Sequence, residues 1–298
     1  MTRAVALGCG NFGGVGSAPA FFGQGIAHDE AFRIMDRAWD AGITWFDTGD
    51  AYGGGSSERW IGEWIAARGA TPTITTKVFH STTGTEGDTG LAPDRIRRQL
   101  HASLLRLGIE RVDWYLAHEP DADVPLEETV ACFEELRSEG KIAAWGLSNF
   151  ELPEIQATGP ALVQNSFSLL DRADENDVLP HCRAHHIPYV PFGPLAGGWL
   201  TGKYRRGEAF PEGSRMTQRP GPYERYVDDR VFDGVEALAD EAASRGVSTA
   251  ALAFAWVLHR CDDAVCGPNR AEHLDPILEA MTVELTGEDV SRIGGFFP

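Results

Sequence analysis

The sequence predicts a single-domain (β/α)8 TIM barrel, and three observations lead there. Strand-like and helix-like patterns alternate from one end of the chain to the other. Such alternation implies parallel strands joined by right-handed crossovers. Eight strand-helix units can be counted, and 298 residues is enough chain to close them into a barrel. With no internal repeat or low-complexity tract to mark a boundary, residues 1–298 read as one domain. The competing arrangement, an open doubly wound sheet, needs a phosphate-binding loop after its first strand. Gly8-Cys9-Gly10-Asn11-Phe12-Gly13 spells that fingerprint literally, but Gly14, Gly16, Pro19, Gly23 and Gly25 follow, so no helix can start there.

Each element has its own warrant. A short apolar strand at 5–7 leads into a long glycine-rich loop over the active site, where Phe21 and Phe22 are candidates for a substrate-pocket wall. From Asp29, apolar Phe32, Met35, Ala38 and Trp39 recur at helical spacing until Gly42 stops the segment. Strand 43–46 follows, then a helix from about Ser57 with Trp60, Ile61, Trp64 and Ile65 on one face and Gly69 at its end. Strand 73–77 precedes a polar loop over 80–90 and a helix with Pro93 near its first turn. The alternation continues with strand 112–117, helix 126–139, strand 143–147, a short helix near Pro153 and strand 161–165. A helix over 178–185 precedes strand 188–192. Residues 201–229, rich in Gly, Pro and charge, form a loop after the seventh strand, too long for an ordinary connection and therefore functional or disordered. Helices over 231–244 and 248–260 lead into strand 264–266, and helices near Glu272 and after Thr286 close the chain. Thr286 with Asp289 has the form of a capping box.

Composition narrows the function. At 43% hydrophobic content the chain can bury a large core. A net charge of -18, from 44 acidic against 26 basic residues, disfavours nucleic acid and anionic membrane as partners. It permits one anionic cofactor, because a binding site is local and net charge is not. Cys9, Cys132, Cys182, Cys261 and Cys266 are odd in number and form no Cys-x-x-Cys pair, as expected of buried structural thiols in a reducing compartment. The N-terminus lacks a secretory pattern, and the longest apolar run, 250–258, is far below the ~20 residues that span a bilayer. That run reads as a buried helix, and the protein as cytoplasmic.

The chemistry gathers at strand ends. Asp47 ends the second strand, Lys77 the third and His118 the fourth, with Tyr52 in the glycine-flanked turn after the second. In a barrel those ends converge on one face, so residues far apart in sequence meet. A tyrosine titrates near pH ~10, and a neighbouring cation such as Lys77 would lower its pKa enough for acid-base work. Asp47 and Lys77 could equally brace the barrel mouth as a buried ion pair. No His/Asp/Glu cluster beyond these residues gathers at the strand ends, so no metal site is expected.

In the contexts FDTGDAYGGGSSE, TITTKV and LAHEPD, these residues resemble the catalytic tetrad of the aldo-keto reductase superfamily. The likeness continues in GLSNF, VQNSFSLLDR, PFGPLAGGWLTGKY and CGPNR, in order and over nearly the whole chain, and is nearest to bacterial members acting on sugars and small aldehydes. It implies reduction of an aldehyde, ketone or keto-sugar by hydride from a nicotinamide, with Tyr52 donating the proton, Lys77 lowering the phenol's pKa, Asp47 fixing Lys77 and His118 orienting the carbonyl. It also implies cofactor roles. Asn149 and Gln164, with Ser148 and Asp47 beside them, would hold the carboxamide, and Phe192 would stack on the nicotinamide. Gly193, Leu195, Gly197 and Lys203 would run along the pyrophosphate. Gly267, Asn269, Arg270 and His273 would take the adenosine end, where Arg270 favours NADPH over NADH. His273 stands where the family usually has glutamine, and Ile277 where it has an asparagine on the adenine. Phe79 and Trp199 are further candidates for pocket walls. The same residues would serve a sugar or alcohol dehydrogenase running oxidatively, and some relatives serve as regulatory subunits of channels.

Overall fold

The computed structural model describes residues 4–261 and 263–297; of the N-terminal stretch read for a leader, residues 1–3 lie outside them. Seven parallel strands form one curled sheet: β1 (Ala4–Gly8), β2 (Trp45–Asp47), β3 (Thr73–Val78), β4 (Val112–Ala117), β5 (Ile142–Ser148), β6 (Val163–Gln164) and β7 (Asp263–Cys266). Their order is β6-β5-β4-β3-β2-β1-β7, so the first and last strands are neighbours, as in a sheet that curls back on its start. Helices α1 (His28–Asp40), α2 (Ser56–Arg68), α3 (Pro93–Leu107), α4 (Leu126–Ser138), α5 (Leu152–Thr158) and α6 (Val178–Ala184) follow the strands in turn. The second half of the chain adds α7 (Arg215–Gln218), α8 (Asp229–Arg245), α9 (Thr249–Cys261), α10 (Asp275–Ala280) and α11 (Gly287–Gly294).

The expectation of eight strands holds only in part, and proline explains why. Residues 188–192 are extended and lie between β6 and β7. Val190 and Phe192 donate to the carbonyls of Val163 and Asn165, and Val163 donates to Pro188 O. Even-numbered residues thus face β6, which leaves odd-numbered ones to face β7. Pro191 has no N–H to give on that side, and the bond that forms there runs the other way, from Val265 N to Pro191 O at 2.8 Å. The segment bridges the two edge strands without forming a regular ladder. The sixth strand is likewise shorter than the expected 161–165.

Apolar side chains fill two volumes. Between sheet and helices lies the main core, in which Phe46, Trp64, Tyr115, Phe133, Phe167 and Trp256 are almost wholly buried. Inside the curled sheet, Ala6, Leu116, Leu162, Val190 and Val265 form a separate cluster, with Trp45, Trp114 and Phe192 packed against it. This inner plug leaves the carboxyl ends of the strands as the polar face. As expected of a buried helix, residues 250–258 of α9 are all buried. Thr286 and Asp289 cap α11 reciprocally, the hydroxyl accepting from Asp289 N and the carboxylate from Thr286 N. All five cysteines are buried free thiols. No helix of the described residues is long and apolar enough to cross a membrane.

The 201–229 stretch is better ordered than a loop reading implied. It contains α7 and a 3-10 turn at Gly221–Tyr226, and it folds over its own aromatic cluster. Trp199 is fully buried there, against Tyr204, Phe210, Tyr226 and Phe232, so it walls no pocket.

Candidate active site

The parallel ladder continues past the strand ends and sets the site rigidly. Thr48 N donates to Thr75 O, Asp50 N to Lys77 O and His118 N to Val78 O, at 2.8, 3.1 and 3.0 Å. Tyr52 rides on the turn that follows. Gly53 there adopts φ 59° and crosses so close to the Phe12 carbonyl that a Cβ would collide with it.

The four expected catalytic residues come together. Lys77 is 1% exposed, and its ammonium donates to Asp47 Oδ1 at 2.7 Å and Thr48 O at 2.8 Å. The same nitrogen lies 5.2 Å from the Tyr52 ring centre. The Tyr52 hydroxyl is 3.4 Å from His118 Nε2. Burial alone would lower the Lys77 pKa; the Asp47 carboxylate and the Tyr52 oxygen outweigh it and hold it raised. Burial and the neighbouring Lys77 push the His118 pKa well below the ordinary value, so its imidazole is neutral near pH 7. Tyr52 departs from the sequence expectation. Lys77 does pull its pKa down, but burial outweighs that pull and leaves the phenol above its usual value.

The residues expected at the cofactor are partly assembled. Gln164, buried at the end of β6, donates to Asp47 Oδ2 at 2.9 Å. Asn149 follows Ser148 in the left-handed region, φ 64°, which asparagine tolerates better than most residues. Its side chain donates to His118 O at 2.9 Å and to Ser148 Oγ at 3.2 Å, and its backbone N–H donates to Asn165 Oδ1 at 2.7 Å. Phe192 is half-buried and caps the inner plug. Gly193 and Gly197 both have positive φ, and a Cβ on Gly197 would lie 2.5 Å from the Tyr223 ring. Leu195 is half-buried at the head of the turn that contains Gly197.

Cations collect at the far end in spite of the overall charge. Lys203 lies beside Gly198, with its nitrogen 5.1 Å from the Tyr204 ring centre. Burial and the nearby Arg215 lower its pKa. Burial, Lys203 and Arg270 do the same to His273. Lys203 thus feels Arg215, and His273 feels Lys203 and Arg270 against the opposing pull of Glu272 and Glu30. The Asn269 side-chain oxygen accepts from Asn11 Nδ2 at 2.7 Å, and Arg215 donates to Asn11 Oδ1. Gly267 is exposed, and Ile277 is buried in the core, not presented to a ligand.

Residues 4–296 match the family described as Aldo/keto reductase family. The chain belongs to that family. This aldo/keto reductase is similar to an uncharacterized oxidoreductase of Bacillus subtilis, 33% identical over 300 residues that cover 93% of this chain and 90% of the relative. A Schizosaccharomyces pombe protein named for a voltage-gated potassium channel beta subunit is 33% identical over 91% of this chain and 85% of its own. Among solved structures, a glycerol dehydrogenase from Gluconobacter oxydans superposes with a TM-score of 0.84 at 27% identity, covering 98% of this chain and 90% of its own. An aldo/keto reductase from Klebsiella pneumoniae, in complex with NADP and acetate, gives 0.74 at 26% identity, with 99% and 91% covered.

Sequence reasoning passed over several residues that the fold of this aldo/keto reductase brings to the site. Asn165, next to Gln164, braces the Asn149 turn and also donates to Phe150 O and Asp174 Oδ2. Arg215 and Asn11 join the long loop and the first loop to Asn269. His80 stacks edge-on to His118 with ring centres 4.8 Å apart. Asn165 could have been found from its place in VQNSF; Arg215 carries no local signal among the other loop arginines.

Proposed function

We propose that this chain is an NADPH-dependent reductase that converts an aldehyde, ketone or keto-sugar to the alcohol, with Tyr52 as proton donor. One observation carries the reading: the buried Lys77 ammonium is held by Asp47 beside the Tyr52 ring, while the Tyr52 hydroxyl faces His118 Nε2. A closed eight-stranded barrel, with residues 188–192 as its seventh strand, is the architecture that the bridging hydrogen bonds favour.

The bound dinucleotide would supply the hydride. Reduction places negative charge on the carbonyl oxygen, so donors aimed there lower the barrier. His118 Nδ1 is buried and takes no hydrogen bond. The less costly tautomer leaves only that lone pair orphaned and puts the proton on Nε2. A carbonyl oxygen between Nε2–H and the Tyr52 hydroxyl would then accept from both. As Tyr52 gives up its proton, Lys77 stabilises the phenolate that forms, and Asp47 keeps Lys77 charged. The raised phenol pKa keeps Tyr52 protonated near neutral pH, the form in which it can give a proton to the carbonyl oxygen.

The far end suits a phosphorylated dinucleotide. Lys203, Arg215 and Arg270 supply positive charge, the Arg270 guanidinium is exposed at the surface, and the buried Ser214 hydroxyl has no partner. An NADP-linked relative from Schizosaccharomyces pombe, 30% identical, supports NADPH over NADH. Replacement of Tyr52 by Phe tests the reading. We expect kcat for an aldehyde to fall by about 10²-fold or more, with NADPH binding retained by fluorescence titration. Equal turnover in the two proteins would remove Tyr52 from the mechanism.

A further inference from the structure

We infer that His80 is a positioning residue for the reduction: held by Arg95 and Glu119, its ring keeps the His118 imidazole turned with Nε2 towards Tyr52. The inference rests on the reductase reading and adds a residue to its machinery. The backbone of His118 is fixed on both sides. Its N–H donates to Val78 O at 3.0 Å, and its carbonyl accepts from Asn149 Nδ2 at 2.9 Å. The ring is held far less firmly by polar contacts. Nδ1 is buried without a hydrogen bond, and Nε2 is 3.4 Å from the Tyr52 hydroxyl, beyond the usual ~2.7–3.2 Å. A hydrogen bond at one ring nitrogen ordinarily sets how a histidine presents the other. Here packing replaces it. Tyr52 and His80 meet the imidazole edge-on, with ring centres at 5.5 and 4.8 Å. Without the second ring, a half-turn about Cβ–Cγ would put Cε1 where Nε2 stands, and the carbonyl oxygen would lose one of its two donors.

His80 can serve in this way because it is itself clamped. Arg95 of α3 is 5% exposed and donates to His80 O at 2.8 Å, Asp88 O at 3.0 Å and Gly90 O at 3.0 Å. Its Nε faces Asp88 Oδ1 at 3.3 Å. One buried guanidinium therefore ties both ends of the 80–90 loop together, a task that suits its planar fork of donors. On the ring side, His80 Nε2 is 3.2 Å from Oε1 of Glu119, the residue after His118. That contact holds the Glu119 carboxyl below the usual carboxylate range.

The test compares His80→Ala and His80→Phe with wild type. Both variants keep the backbone carbonyl that Arg95 holds, so the loop stays fastened, and thermal melts check that they fold. With NADPH and an aldehyde, alanine should lower kcat by on the order of tenfold, since a misplaced group can cost up to ~10²-fold. KM and NADPH affinity should stay within about twofold, as for a contact made mainly in the transition state. Phenylalanine restores a ring edge and should bring kcat back to within about threefold of wild type. An alanine variant with wild-type kcat would overturn the inference, and so would a phenylalanine variant as slow as the alanine one. Nitrogen NMR with isotope-labelled histidine gives a second measurement that needs no turnover, the His118 signals being assigned from His118→Asn. Wild type should show one set of neutral-ring signals for His118, and His80→Ala should broaden or split them. Unchanged signals in the alanine variant would overturn the inference. Failure of wild type to reduce any aldehyde would remove the reductase reading alone, and the NMR comparison would still decide whether His80 holds the ring.

Discussion

Asp50 sits three residues after Asp47, fully buried, and neither carboxyl oxygen has a hydrogen-bond partner. Burial, reinforced by the Glu58 carboxylate, pushes its pKa well above the ordinary value. The unfolded chain ionises this group near pH ~4 and the folded chain only at higher pH. Stability from Asp50 is therefore full below about pH 4 and is lost as pH rises through the folded pKa. His118 works on the opposite flank. Its depressed pKa gives stability that is present above about pH 6.5 and lost as pH falls towards the folded value. We expect Asp50→Asn to raise Tm, by a margin that grows between pH 5 and pH 8 at up to about 1.4 kcal/mol per pH unit within the window. Thermal melts at both pH values would decide it, and an equal gain at each would mean that ionisation is not the cause. The meeting of Asp47, Tyr52, Lys77 and His118 was legible in sequence because three of them lie at the ends of recognisable strands and Tyr52 in the glycine-flanked turn after one. The burial of Asp50 was not, since only the fold shows that its side chain is enclosed near Glu58.

At the scale of elements, the long segment after residues 188–192 is held to the main core by its aromatic rings. Trp199 contributes the largest ring, and Tyr204 ties the turn back through its hydroxyl to Gly197 O at 3.1 Å. Arg206 pairs with Asp229 and Asp233 at the start of α8. Composition alone suggested a loop here, because Gly and Pro break the helical period while the aromatics are spaced too irregularly to show a common face. Trp199→Ala should cost about 3–5 kcal/mol, read as a lower urea midpoint, and should open the segment to trypsin at Arg205 and Arg206. A lowered midpoint with the segment still protected would show that something other than this cluster orders it. Helix positions elsewhere were legible to within a residue or two, because the apolar period and the terminal glycines agree. Gly69 and Gly108, for example, take positive φ where α2 and α3 end.

For the whole molecule, the order of strands and the gathering of Asp47, Tyr52, Lys77 and His118 at their carboxyl ends could be read from the sequence, while the quality of each strand could not. Residues 188–192 look like any buried strand by hydrophobicity. Their prolines matter only once it is known which side each N–H must face. Sheet bonding is consequently uneven around the ring. β4 pairs along β5 from Val112 to Ala117, whereas between residues 188–192 and β7 a single backbone hydrogen bond joins the described residues. A ring fastened so unequally should come apart in a set order. Under native-state hydrogen exchange, amides of 161–167 and 188–192 should trade for deuterium well before those of Thr73–Val78 and Val112–Ala117. Uniform exchange around the sheet would contradict this. Gln164, which holds Asp47, and Phe192 belong to the part that opens first. The seam would then act as a slow latch: an occasional parting there frees the carboxylate's second oxygen and one wall of the site, while Lys77 and His118 stay anchored in the strands that open last.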